Sequence, residues 1–141
     1  MSPVALPHGL NGVFRCSAER ATALQRAAES RRFITASIDL PRQVRRATLF
    51  EGFSSALRFP EWFGGNWDAL TDCITDLSWL DEKGYLIILR GFTAAFSRES
   101  DDWNTLADIL NDAAIYWHEA GTPFCVLVED GPTSLQELPA A

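Results

Sequence analysis

Two stretches, Tyr85-Leu86-Ile87-Ile88-Leu89 and Phe124-Cys125-Val126-Leu127-Val128, run five residues each without a charged side chain. A breaker precedes each, Gly84 in one case and Pro123 in the other. Such runs read as strands buried on both faces, which occur almost only where helices cover a parallel sheet from two sides. The rest of the chain supplies those helices. Gly12–Cys16 reads as a short strand, and Ser17 caps a helix to about Ser30 with Glu19 in its first turn. Phe33–Leu40 is a strand with Ile34, Ala36, Ile38 and Leu40 on one side and Thr35, Ser37 and Asp39 on the other. Val44, Ala47, Thr48, Phe53, Ala56 and Leu57 mark a helix to about Arg58. One helical turn is expected at Ala94–Phe96. A long helix then opens at Ser100 or Asp101, with Trp103, Leu106, Ile109, Leu110, Ala113 and Trp117 as its apolar stripe and Gly121 as its stop.

Alternation of this kind predicts one α/β domain over residues 10–130, a small, mostly parallel four-stranded sheet packed by helices. Residues 1–9 and 131–141 read as flexible tails. No apolar stretch is long enough to span a membrane, and the first residues lack the basic and apolar regions of a signal peptide, so the expected location is the cytoplasm. Cys16, Cys73 and Cys125 form no CxxC pair and sit in apolar settings, which predicts buried, reduced thiols.

The net charge of −7 is unevenly spread. Up to Pro60, nine arginines face four acids; from Glu61 on, three basic residues face fifteen. An acidic half of this strength argues against a nucleic-acid surface, which must neutralise phosphates. It fits a basic partner, and equally a plain solvated surface. Catalytic apparatus is absent from the motifs: there is no G-x-S-x-G, Walker loop, G-x-G-x-x-G or H-E-x-x-H. His8 lies in the tail and His118 near a helix end. Gly64-Gly65 before a helix would suit an anion, but Asp68 just inside that helix would repel it. The expectation is a non-enzyme without cofactor or metal.

One stretch remains unexplained by packing. Pro60 ends the preceding helix, Gly64 and Gly65 permit backbone angles that other residues resist, and Asn66 is a good N-cap. Beyond it, Trp67, Leu70, Ile74 and Leu77 recur at core spacing, while Asp68, Asp72 and Asp76 recur every four residues on the neighbouring stripe. Like charges at this spacing repel, and only Asp68 is close enough to the helix start to gain from the dipole. Asp68 and Asp72 could share a divalent cation or serve hydrolysis, yet two carboxylates are a weak signal for either. Trp67, Trp79, Trp103 and Trp117 fall at core spacing. Trp62, in a loop beside the acids, fits an interface anchor as well as a core position.

Pro60-Glu61-Trp62-Phe63-Gly64, Asn66, Asp68-Ala69-Leu70 and Asp72-Cys73 together resemble the barstar family, the intracellular inhibitors of the ribonuclease barnase. The order of elements from about Phe33 to Val128 fits as well, with residues 10–31 as an added strand–helix unit. The resemblance implies an antitoxin or immunity protein that occludes the active site of a basic, extracellular-type ribonuclease. The aspartate matching Asp72 stands in for a substrate phosphate, that matching Asp68 pairs with a basic residue at the same mouth, and the aromatic matching Trp62 packs on catalytic side chains. Residues matching Asn66 and Gly64 shape the loop. Three positions depart from the prototype: Thr71 replaces a tryptophan, Asp76 replaces a glycine, and Tyr116 replaces an acid on the last helix, where Asp112 or Glu119 lies one turn away. The expected partner-binding set is Trp62, Phe63, Gly64, Asn66, Asp68, Thr71, Asp72 and Asp76. The alternative is a non-inhibitory interaction module binding another basic protein.

Overall fold

The computed structural model describes residues 11–80, 83–96 and 100–139. Along these residues run β1 (Gly12–Cys16), α1 (Ala18–Ser30), β2 (Ile34–Asp39), α2 (Arg46–Leu57), α3 (Trp67–Ile74), β3 (Tyr85–Arg90), α4 (Phe92–Ala95), α5 (Asp101–Glu119), β4 (Phe124–Glu129) and β5 (Gln136–Glu137). The strands form one sheet in the order β2-β3-β4-β1-β5, and every pairing is parallel. The tail expected at residues 1–9 lies outside the described residues, as do Ala140 and Ala141.

The two apolar runs became β3 and β4, the inner strands. Their side chains divide by alternation. Tyr85, Ile87, Leu89, Phe124, Val126 and Val128 join Leu49, Phe53, Leu70, Ile74, Leu106 and Leu110 in the larger core beneath α2, α3 and α5. Leu86, Ile88, Cys125 and Leu127 face the other way, into a smaller core with Ala21, Leu24 and Ala28 of α1. The register aligns Ala36, Ile87, Val126 and Val13 across four strands on the first face.

The second face depends on α1. This helix links β1 to β2, which lie apart in the sheet, so it must cross over β3 and β4. Ser17 starts it as foreseen, its hydroxyl oxygen accepting the Arg20 N–H at 3.2 Å. Arg90 fastens it at the carboxyl end of the sheet. Its guanidinium donates to Glu129 Oε2 at 2.8 Å, Ser37 Oγ at 3.1 Å, and Thr22 Oγ1 and Gln25 Oε1 at 3.3 Å each. One side chain thereby joins β2, β3, β4 and α1. The unit over residues 10–31 thus contributes an interior strand and the helix that covers a whole face.

Two expectations change. The sheet has a fifth strand, and residues 131–139 are tied down where fraying was expected. Leu138 is buried in the smaller core and its N–H reaches Arg15 O at 3.0 Å. Arg20 donates to the carbonyls of Leu138 at 2.8 Å and Pro139 at 2.7 Å. The stabilising partners come from the opposite end of the chain, so no local pattern announced them. The short helical turn also begins earlier, at Phe92.

The three cysteines are buried and free. Burial raises the thiols of Cys16 and Cys73, and pushes Cys125 up to about 12. The folded state therefore holds the Cys125 proton where the unfolded state releases it. Its contribution is complete below the ordinary thiol range and is lost as pH rises from there towards about 12. Compared with a Cys125→Ala variant, the wild type is expected to lose extra stability, at most about 1.4 kcal/mol per pH unit across that window, read from urea midpoints. Leu24→Ala opens the smaller core and is expected to cost about 2–4 kcal/mol by the same measurement; a loss under about 1 kcal/mol would mean that α1 is dispensable as a cover.

Candidate functional site

The loop between α2 and α3 is built from rings. Leu57 ends α2, and Arg58 follows in the left-handed conformation, φ 54°. The Phe63 N–H then reaches Pro60 O at 3.0 Å, closing a turn with Glu61 and Trp62 at its tip. Trp62 consequently points outward and is 62% exposed. Phe63 turns inward onto Phe59 (centroids 4.9 Å apart) and Phe50 (6.3 Å), so its place is beneath the loop. Rings continue in both directions: Trp62 meets Trp79 edge-on at 6.5 Å, Trp79 meets Phe59 at 6.1 Å, and Phe50 meets Trp67 at 4.9 Å. Edge-to-face contacts of this kind add to simple burial. Trp79 Nε1 donates to Leu57 O at 2.9 Å, so the ring under Trp62 is pinned to the end of α2.

Asn66 caps α3 as its sequence suggested, with Oδ1 accepting the Ala69 N–H at 2.8 Å. The two glycines differ. Gly65 has φ 65° and needs its freedom, whereas a side chain at Gly64 would make only ordinary contacts, at 3.5 Å to Asn66 Nδ2 and 3.8 Å to Ala69 Cβ. Leu70, Cys73 and Ile74 bury one side of α3, and Asp68 and Asp72 stand on the other, exposed. Thr71 is half-buried, its hydroxyl donating to Trp67 O at 3.1 Å.

Asp76 does not extend the ladder along the helix. α3 ends at Ile74, with Thr75 as C-cap, and Leu77 has φ 50°. Thr75 Oγ1 bonds Thr71 O at 2.7 Å, and the N–H groups of Asp76 and Leu77 both turn back to Cys73 O at 3.2 Å. Leu77 is fully buried, and seating that side chain holds a backbone angle that leucine otherwise avoids. Asp76 is exposed in the turn after the helix, close enough for its charge, with that of Asp72, to add to the raised Cys73 thiol after desolvation. Among the described residues, none of Asp68, Asp72 and Asp76 belongs to an ion pair. The nearby arginine is already engaged: Arg46 bonds Asp102 Oδ1 at 2.8 Å and lies 6.0 Å from the Trp67 ring centre.

α5 borders this edge. Trp117 Nε1 donates to Ile74 O at 2.9 Å, at the last residue of α3. Tyr116 packs its ring against Trp117 at 5.2 Å and is 48% exposed, while Asp112 and Glu119 face solvent. Among the described residues, no three His, Cys, Asp or Glu side chains converge to hold a metal ion. The structure therefore exposes Trp62 at the tip of the loop, places Asn66, Asp68 and Asp72 exposed at the start and on the outer side of α3 with Thr71 half-buried beside them, turns Phe63 inward, and carries Asp76 past the end of the helix. Trp79, read from its spacing as core filling, is half-buried against the larger core and also supports Trp62; only the three-dimensional path of the loop reveals the second contact.

Because only Gly65 occupies the left-handed region, Gly65→Ala is expected to lower stability by about 1 kcal/mol and Gly64→Ala by less than about 0.5 kcal/mol in urea unfolding. Equal losses would contradict this loop geometry.

The sequence model of the family described as Barstar (barnase inhibitor) matches residues 33–129. No individually curated protein matches the chain. The matched region runs from the start of β2 to the end of β4 and contains the whole aromatic loop and α3. With its parallel sheet and helical cover, and with that match extending over more than half its length, the chain belongs to the barstar family.

Proposed function

We propose that this protein inhibits a basic ribonuclease by laying the exposed edge of α3 and the Trp62 loop across its active site. Family membership supports an inhibitor that acts on a protein partner. The observation that carries the finer reading is a pair of exposed carboxylates without ion-pair partners among the described residues, Asp68 and Asp72, one turn apart on a helix whose other side is buried. Such carboxylates keep their full acceptor capacity, and the rigid helix sets their separation in advance. A nuclease active site is built to receive a chain of phosphates, so a preset pair of anions competes for the same basic groups.

The surrounding residues have distinct roles in this reading. Trp62 supplies an aromatic surface whose position is fixed by Trp79, which limits the entropy lost on docking. Asn66 orients the first turn of α3 through its cap, and Thr71 leaves room between the two aspartates. Asp76, beyond the helix, adds to the field that draws a basic partner and contacts the rim. Among the described residues no helix is long and apolar enough to cross a membrane. A cytoplasmic site of action, as an antitoxin or immunity protein, completes the reading.

The test is inhibition of RNA cleavage by a panel of purified small basic ribonucleases, barnase among them. The wild type is expected to inhibit at least one, and Asp72→Ala to weaken that inhibition by about 2–5 kcal/mol. Barnase with barstar is itself a measured example of such losses, so this magnitude is carried over from the family. Affinity is expected to fall as salt is raised. Inhibition of none of the nucleases, or equal inhibition by wild type and Asp72→Ala, rejects the proposal.

A further inference from the structure

The two faces of the sheet are covered by different means. On the first face, α2 buries Phe50, Phe53 and Leu57, and α5 buries Trp103, Leu106 and Leu110. On the second, α1 buries Ala21, Leu24 and Ala28, so Leu24 is its one large side chain in the core. The other large side chain of that cover is Leu138, which arrives from the far end of the chain. Polar contacts hold the rest. Arg20 of α1 donates to the carbonyls of Leu138 and Pro139, and Arg15 donates to Leu135 O at 3.1 Å. The Arg90 bonds to Thr22 and Gln25 are long, at 3.3 Å each. Thr35 Oγ1 donates to Glu29 Oε1, also at 3.3 Å, and joins α1 to β2 at an exposed place.

β1 is held more firmly than the helix that follows it. Val13 is buried in the larger core, and Asn11 Nδ2 donates to Thr122 O at 2.9 Å and to Ala114 O at 3.3 Å. The strand is thus fastened to α5 and to the turn after it, and lifting α1 does not require β1 to leave the sheet. Segments with few buried apolar contacts and exposed hydrogen bonds open ahead of the rest of a fold. Here both such segments, α1 and residues 135–139, lie outside the residues 33–129 that match the family.

We propose that α1 and residues 135–139 form one latched cover, which lifts as a unit while the rest of the fold, α3 and its carboxylates included, stays in place. Leu24 and Leu138 share one small core, and Arg20 ties the helix to the carbonyls around Leu138, so the loss of either segment strips support from the other. The open form wets Phe14, Leu86, Ile88 and Leu127 and keeps the larger core, on which α3 rests, dry. Its cost is therefore only a part of the cost of unfolding. Two native thiols report it, because Cys16 and Cys125 both lie in the small core under the cover.

The test is labelling of the full-length native protein by iodoacetamide across a urea series. Labelling is read at each cysteine by mass spectrometry and divided by the rate of the same thiol in the unfolded chain. Cys16 and Cys125 are expected to react through a common opening, at least about a hundredfold more populated than global unfolding and with a smaller urea slope. Leu138→Ala is expected to speed both by about thirtyfold or more. Arg20→Met, which cuts the latch without opening a cavity, is expected to speed both by about tenfold. Ile87→Val, in the larger core, is expected to raise global unfolding by about twofold to tenfold and to leave both labelling rates unchanged. Labelling of the two thiols only through global unfolding overturns the proposal. So does an unchanged Cys125 rate in Leu138→Ala and Arg20→Met, or a gain in Ile87→Val equal to its gain in global unfolding. None of these outcomes depends on which protein α3 binds.

Discussion

The central constraint is the double burial of β3 and β4. Their apolar runs, 85–89 and 124–128, stabilise the fold only when both faces are dry. Four helices share the first face, and α1, with Leu138, covers the second. This division sets what each helix has left to present. Because α2 and α5 carry much of the first core, α3 commits only a narrow stripe, Leu70, Cys73 and Ile74, and its opposite side is free. A long amphipathic helix in that place would have had little unassigned surface.

The Trp62 loop is held by aromatic contacts that begin in the core and end at the surface. Six rings, from Trp67 through Phe50, Phe63, Phe59 and Trp79 to Trp62, connect α3 to α2 and then to solvent. The indole N–H groups of Trp79 and Trp117 each donate to a carbonyl at a helix end, where carbonyls lack intrahelical donors. The polar needs of these two rings and of the ends of α2 and α3 are met together. Packing and hydrogen bonding thus position the loop.

Much of the fold was legible because its signals are local. The runs at 85–89 and 124–128, the Ser17 and Asn66 caps and the Gly121 stop all act within a few residues of themselves. The candidate edge was legible for the same reason, since Asp68 and Asp72 occupy one turn behind a cap. Asp76 misled because Leu77 continued the apolar period. The buried leucine was real, but the backbone reached it through a left-handed turn and not through another turn of helix. Phe63 and Trp62, adjacent and both aromatic, could not be assigned to inside and outside until the turn at Pro60 was seen. β5 was hidden because two residues make no pattern, and its partners lie more than a hundred residues away.

The fastening of residues 135–139 to β1 has a topological meaning. In a sheet ordered β2-β3-β4-β1-β5, β1 would be the rim without this segment, and its outer row of N–H and C=O groups would be open to pairing with a foreign strand. Two residues of β5, the buried Leu138 plug and the arginine clamps of Arg15 and Arg20 close that rim with polar, exposed chain. The opposite rim, β2, carries the polar Ser37 and Asp39, both exposed, on the face where α1 lies. In the proposed reading the acidic edge invites association at one place, while the sheet margins are arranged to refuse it.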